Sequence, residues 1–126
     1  MRGVEYNVYD ALTFLELVLQ LHGEFRRSLE PLRVTPLQAG VLLFLRRHAE
    51  AKLTDAAAAL RVRLPTLSTV IKDHVRKRWI TKRRSVTDTR AVCLALSWQG
   101  QALARRIKDS VRNVRSDLIP RKEASS

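Results

Sequence analysis

The chain has 126 residues, 45% of them hydrophobic and 29% charged, with a formal net charge of +12. That is the size and composition of one folded domain and excludes a disordered tail, while no stretch reaches the ~18–20 uncharged apolar residues of a membrane span, because Glu16, Gln20, His22 and Glu24 interrupt the most apolar run. The N-terminus shows no secretory signal pattern, and a single cysteine, Cys93, can form neither an internal disulfide nor a zinc site, so a cytoplasmic protein without cofactors is expected.

From Tyr6 to Leu29 the pattern is helical but apolar on two sides. Val8, Leu12, Leu15, Leu19 and His22 form one stripe; Phe14, Leu17, Val18, Leu21 and Phe25 form another. A small monomer rarely buries two sides of one helix, so this helix is expected to pack on its own domain with one side and on a second copy of the chain with the other. Pro31 ends it. Thr35 followed by Pro36 reads as an N-cap with proline in the first helical position, opening a helix that carries Leu37, Val41, Leu42, Phe44 and Leu45 and stops near Arg46 to His48. Thr54 reads as the N-cap of a short alanine-rich helix, Asp55 to Leu60.

After a tight connection, Pro65 opens the next helix, with Leu67, Val70, Ile71 and His74 or Val75 on its apolar side and Thr66, Ser68, Thr69, Lys72, Asp73 and Arg76 facing away. Two helices across a short turn make a helix-turn-helix, whose second helix presents its N-terminal half to a DNA major groove. The residues from Arg61 to Arg90 include ten basic and two acidic side chains, a net of +8. Such a concentration points to a polyanionic partner, with nucleic acid favoured over an ordinary solvated face.

Beyond Lys77 the periodicity becomes alternating. Trp79 to Arg84 and Arg90 to Leu96 read as two strands, the second with Val92, Leu94 and Leu96 inward and Cys93 outward. Ser85 to Thr89 forms the hairpin tip, and a basic hairpin after a helix-turn-helix is a wing. Ser97 caps a last helix with a narrow stripe of Leu103, Ile107, Val111, Val114 and Leu118, ended by Pro120. Trp79 and Trp98 are assigned to the core.

The order of these parts, and the run Asp88-Thr89-Arg90-Ala91-Val92-Cys93-Leu94-Ala95-Leu96-Ser97-Trp98-Gln99-Gly100, resemble the MarR family of winged-helix transcriptional regulators. An Asp-x-Arg wing, an alternating strand, a Leu-Ser helix start and a glycine three residues after the cap all stand here. The resemblance spans roughly residues 35–100. It implies a mainly α fold with a small β-hairpin, a single winged-helix domain over residues 1–126. Residues 35–96 would form the DNA-binding lobe, with its wing at 79–96, and residues 6–29 and 97–119 the dimerisation helices. Arg61 and Arg78 stand where the family has glycine, so left-handed backbone at either would carry a cost of about 1 kcal/mol. His74 occupies an apolar position, and the segment from Leu53 to Leu60 is about two residues short.

On this reading the base-reading candidates are Arg63, Thr66, Ser68, Thr69 and Lys72, with Arg63 suited to the two acceptors of a guanine edge. Arg76, Lys82, Arg83 and Arg84 suit phosphates. Arg90 would probe a narrow minor groove, supported by Asp88. Leu12, Leu15, Leu19, Leu103, Ile107, Val111, Val114 and Leu118 would form the homodimer interface. His22 and Arg26 are the candidates for a small aromatic acid effector, a partner implied only by the resemblance. The expected function is sequence-specific binding of double-stranded DNA by a homodimeric repressor. The alternative is an architectural or adaptor winged helix without a ligand. With no nucleophile-base pair, carboxylate pair, metal-ligand spacing or phosphate loop in the sequence, an enzyme is not expected.

Overall fold

The computed structural model describes residues 2–87 and 90–114, with side chains from residue 10 onward. In chain order the described elements are α1 (Arg2–Leu29), a 3-10 turn (Glu30–Leu32), α2 (Pro36–Arg47), β1 (Ala51–Lys52), α3 (Leu53–Leu60), α4 (Leu64–Arg76), β2 (Ile80–Arg84), β3 (Val92–Leu96) and α5 (Trp98–Val111). The fold is therefore the expected winged helix-turn-helix, mainly α with a small antiparallel sheet. No helix among the described residues is long and apolar enough to cross a membrane. Asp88 in the wing and Leu118 in the last stripe lie outside the described residues.

Two compact units divide the chain: residues 37–108 form one, and the described residues on either side form the other. The first eleven residues of α5 thus belong with the lobe, where a lobe ending at residue 96 was expected. In the flanking unit, the Ser28 hydroxyl donates to the Ser110 carbonyl at 2.6 Å. Leu29, Val34 and Val114 are buried, whereas Leu12, Phe14, Leu15, Val18 and Leu19 on α1 are each 55–69% exposed.

Inside the lobe, α4 buries Leu67, Ile71 and His74 at spacings of four and three, which keeps them on one side of the helix. The α4 helix packs against α3 and, just beyond its end, against β2. The sheet has the order β1-β3-β2, so the hairpin gains a strand that the sequence reading did not contain. Ala51 pairs with Leu94 and Lys52 with Cys93, while β2 pairs Ile80 with Leu96, Lys82 with Leu94 and Arg84 with Val92. Only Leu94, flanked by a partner on both sides, is fully buried; Val92 and Leu96 are half-buried, like Cys93. This corrects the expected clean alternation: of the inward positions only the central one is fully covered, and the outward Cys93 is as covered as the two ends.

Three further boundaries differ. The α3 helix starts at Leu53, with Lys52 as its flanking residue and no side-chain cap, so Thr54 is not its N-cap. The paired strand β1 delivers the chain directly into the helix, leaving Thr54 already inside the first turn. Trp79 and Arg90 lie just outside their strands. Trp98 is 77% exposed instead of buried. It falls on the opposite side of α5 from Gly100, Leu103 and Ile107, whose spacing sets the inward stripe.

Arg61 and Arg78, expected at glycine positions, do adopt left-handed backbone, at φ 55° and 66°. Each closes the same motif. Val62 N–H donates to Ala57 O at 2.9 Å and Arg61 N–H to Ala58 O at 3.2 Å; Trp79 N–H donates to His74 O at 2.9 Å and Arg78 N–H to Val75 O at 3.0 Å. These are Schellman endings, which satisfy the last carbonyls of a helix. A cation at a helix C-terminus gains roughly 0.3–1 kcal/mol from the partial negative charge there, which offsets part of the backbone cost.

The junction after α4 is held by Ser97. Its hydroxyl donates to Arg78 O at 2.6 Å and accepts from Gly100 N–H at 3.0 Å, while its own N–H donates to Trp79 O at 3.0 Å. A Cβ at Gly100 would stand 2.1 Å from Trp79 O. This glycine is required by contact and not by φ. Gly100→Ala should therefore destabilise the lobe by about 3 kcal/mol or more, the upper range for overpacking, because the obstacle is backbone; denaturant unfolding checks it.

His74 is fully buried, with Nε2 3.2 Å from Gln38 O, Nδ1 unpartnered, and its ring edge-on to Trp79 at 5.3 Å. Burial lowers its pKa below the ordinary 6.5, against opposing contributions from the Gln38 carbonyl and the Asp73 carboxylate, with Lys77 adding to the lowering. The unfolded chain then binds the proton more readily than the fold. Stability from this group is complete above pH 6.5 and declines as pH falls through the folded value. Thermal melts between pH 7 and 5 should show that decline, and His74→Leu should flatten it.

Candidate nucleic-acid interface

On α4, the buried row leaves Pro65, Thr69, Lys72 and Arg76 at spacings of four, three and four on the opposite side, all of them exposed. Thr66 is also exposed and flanks this row, and Ser68 is half-buried on the other flank. Arg63 precedes the helix in extended backbone, φ −64° and ψ 142°, exposed and without a capping hydrogen bond from its side chain. The predicted recognition residues thus lie along the exposed side of α4 and its flanks, from Arg63 before its first turn to Arg76 at its last residue. Thr69 Oγ1 donates to Pro65 O at 3.1 Å, so its hydroxyl proton is committed to the helix and its lone pairs point outward as acceptors.

The wing cations separate by strand parity. Lys82 and Arg84 project from one face of β2, in register with Leu94 and Val92, and Arg83 projects from the other, in register with Cys93. Lys52 on β1 pairs with Cys93 from the opposite side, so Lys52 and Arg83 flank the half-buried thiol. The tip is shaped by Ser85, whose N–H donates to Ala91 O at 3.0 Å and whose hydroxyl accepts from Thr87 N–H at 3.3 Å. Val86 there is 98% exposed. Arg90 is exposed where the loop returns to β3.

Acidic residues enter this surface at two points that the sequence reading did not single out. Asp73 pairs with Arg76 through Oδ1 and with Lys77 Nζ, 3.2 Å from Oδ2. Lys77 also lies 5.0 Å from the Trp79 ring centre, a cation–π arrangement. Glu50, itself at φ 60°, pairs with Arg83 across 33 residues of chain. The Asp73 pairs were legible as helical spacings of three and four; the Glu50 pair exists only because β1 joins the sheet beside the wing.

The remaining candidates lie on other elements. His22 and Arg26 are exposed on α1, where Arg27 is paired with Glu24 at 3.1 Å. Of the proposed interface residues, Leu103, Ile107 and Val114 are already buried within the single chain and Val111 is half-buried. Leu12, Leu15 and Leu19, by contrast, are exposed in the single chain. Among the described residues, no group of three or more His, Cys, Asp or Glu side chains is placed to hold a metal ion.

Residues 34–91 match the sequence model of the MarR family. A search of curated proteins returns no match. Among solved structures, the chain is similar to a mutant of Escherichia coli MarR crystallised with operator DNA, at TM-score 0.79 and 20% identity over 95% of this chain and 89% of that one. It is similar to Staphylococcus aureus MepR in a DNA complex, at TM-score 0.81 and 22% identity over 91% and 87% of the two chains. It is also similar to YusO of Bacillus subtilis, at TM-score 0.69 and 19% identity over 99% and 90%. The family model thus covers the helix-turn-helix and the first wing strand, and the winged-helix fold of these structures is shared along nearly the whole length of this chain.

Proposed function

We propose that this chain is a transcriptional regulator that binds double-stranded DNA sequence-specifically as a homodimer. The observation that carries the reading is the exposed basic end of the lobe, where Arg63, Lys72 and Arg76 beside α4 and Lys82, Arg84 and Arg90 on the wing present cations at the two parts a winged helix inserts into DNA. Lys72, Arg76, Lys82 and Arg84 neutralise phosphates; Arg63, Thr66, Ser68 and Thr69 meet base edges in the major groove; Arg90 enters the flanking minor groove, with Asp88 as its support. The likeness to MarR and MepR, both crystallised with DNA, supports the same use of this fold.

Dimerisation falls to α1. Its apolar side chains from Leu12 to Leu19 are exposed on both flanks of the helix, a surface that water disfavours and that a second copy would cover. Repression follows if the operator overlaps a promoter, and release by a small aromatic acid follows the family resemblance, with His22 and Arg26 as carboxylate partners. Addition of such an acid should then weaken operator binding in the wild type and not in Arg26→Ala.

Selection from a random duplex pool should return a palindromic consensus with half-sites about one helical turn apart. Lys72→Ala should lower the slope of log affinity against log salt by about 0.9 per protomer. A pool without consensus would replace the sequence reader by an architectural binder. Sedimentation at micromolar concentration should show a dimer, and Leu15→Glu should shift it to monomer without unfolding the lobe; a wild-type monomer would remove α1 from assembly.

A further inference from the structure

We propose that Glu50 and Asp73 are positioning residues that make the duplex-binding surface selective, by holding three of its cations in intramolecular pairs. The inference rests on the DNA-binding reading above. The lobe has three described acids, Glu50, Asp55 and Asp73, and two of them are spent on cations of α4 and β2. Asp73 holds Arg76 and Lys77 together, its side chain only 21% exposed against 73% for Arg76. Glu50 holds Arg83 from a backbone at φ 60°, a conformation that few residues other than glycine adopt readily. Arg63, Lys72 and Lys82 make no ion pair among the described residues, so the surface contains both held and unheld cations.

The two kinds respond differently to DNA. An unheld lysine or arginine has a long flexible stem and finds a phosphate in many docking registers, which is the basis of sequence-independent binding. A guanidinium fixed by a carboxylate points in one direction, so it contributes where base contacts have already set the register. A held cation that moves to a phosphate also leaves behind a carboxylate, which recruits a cation from solution or repels the DNA. The net release of counterions, and with it the salt slope, is reduced.

The test compares wild type, Glu50→Gln and Asp73→Asn on a selected duplex and on random duplex across a salt series, with melts to establish folding. Each carboxamide keeps the size of the acid and removes its charge. The expected result, per protomer, is a salt slope steeper by about 0.9 for each cation set free, one in Glu50→Gln and up to two in Asp73→Asn, with a gain of roughly eightfold on random duplex near 0.1 M salt for each further phosphate contact. The selected duplex should gain about twofold or less, so discrimination falls. In an Arg83→Gln background, Glu50→Gln should have no further effect, and this charge-balanced double variant keeps the test open if a single variant folds poorly. Unchanged slopes, or equal gains on both duplexes, would overturn the positioning role while leaving DNA binding in place. Absence of salt-dependent duplex binding by the wild type would instead overturn the reading on which the inference stands.

Discussion

Ser97 is the constraint on which the DNA-binding half of the molecule depends. One hydroxyl accepts the N–H of Gly100 in the first turn of α5 and donates to Arg78 O just beyond the end of α4, while the backbone N–H of the same residue holds Trp79 O. Three elements therefore meet within one side chain's reach: the end of the recognition helix, the root of the wing and the start of the last helix. Because Gly100 lets α5 approach the Trp79 carbonyl to within van der Waals range, the wing cannot tilt against α4 without breaking this junction. The relative direction of the α4 side chains and the β2 side chains is set here, which is what a two-point reader of a duplex requires.

His74 stands one turn inside the same junction. The ring occupies a core position between Gln38 on α2 and Trp79 at the wing root, one nitrogen bonded and the other bare. An apolar residue there would satisfy packing alone. Histidine instead ties α4 to a carbonyl of α2 while leaving a buried acceptor without a partner, an arrangement that costs stability and is maintained only with the ring neutral.

Much of this was readable from residue order. Period-three and period-four spacing located α1, α2, α4 and α5; the Ser97 and Gly100 pair identified the last helix start; and the basic density from Arg61 to Arg90 marked the surface. What escaped was non-local. The two residues of β1 have no periodicity to detect, and their identity as a strand comes from pairing with β3, more than forty residues away. The Glu50–Arg83 pair escaped for the same reason. Trp98 is exposed where a core position was expected, because apolar spacing shows which residues share a side and not what that side meets. Arg61 and Arg78 were expected to stand at glycine positions, and only the backbone shows that both turns are left-handed.

Those two arginines place opposing demands on the same positions. Glycine at either would relax a left-handed backbone and strengthen the fold, and would at the same time remove a charge from the most basic quarter of the chain. Single-residue adaptation toward heat resistance and adaptation toward tighter polyanion binding therefore run in opposite directions at Arg61 and Arg78. A more heat-resistant variant with glycine at these turns would have to carry its cations elsewhere on the surface to keep the same charge.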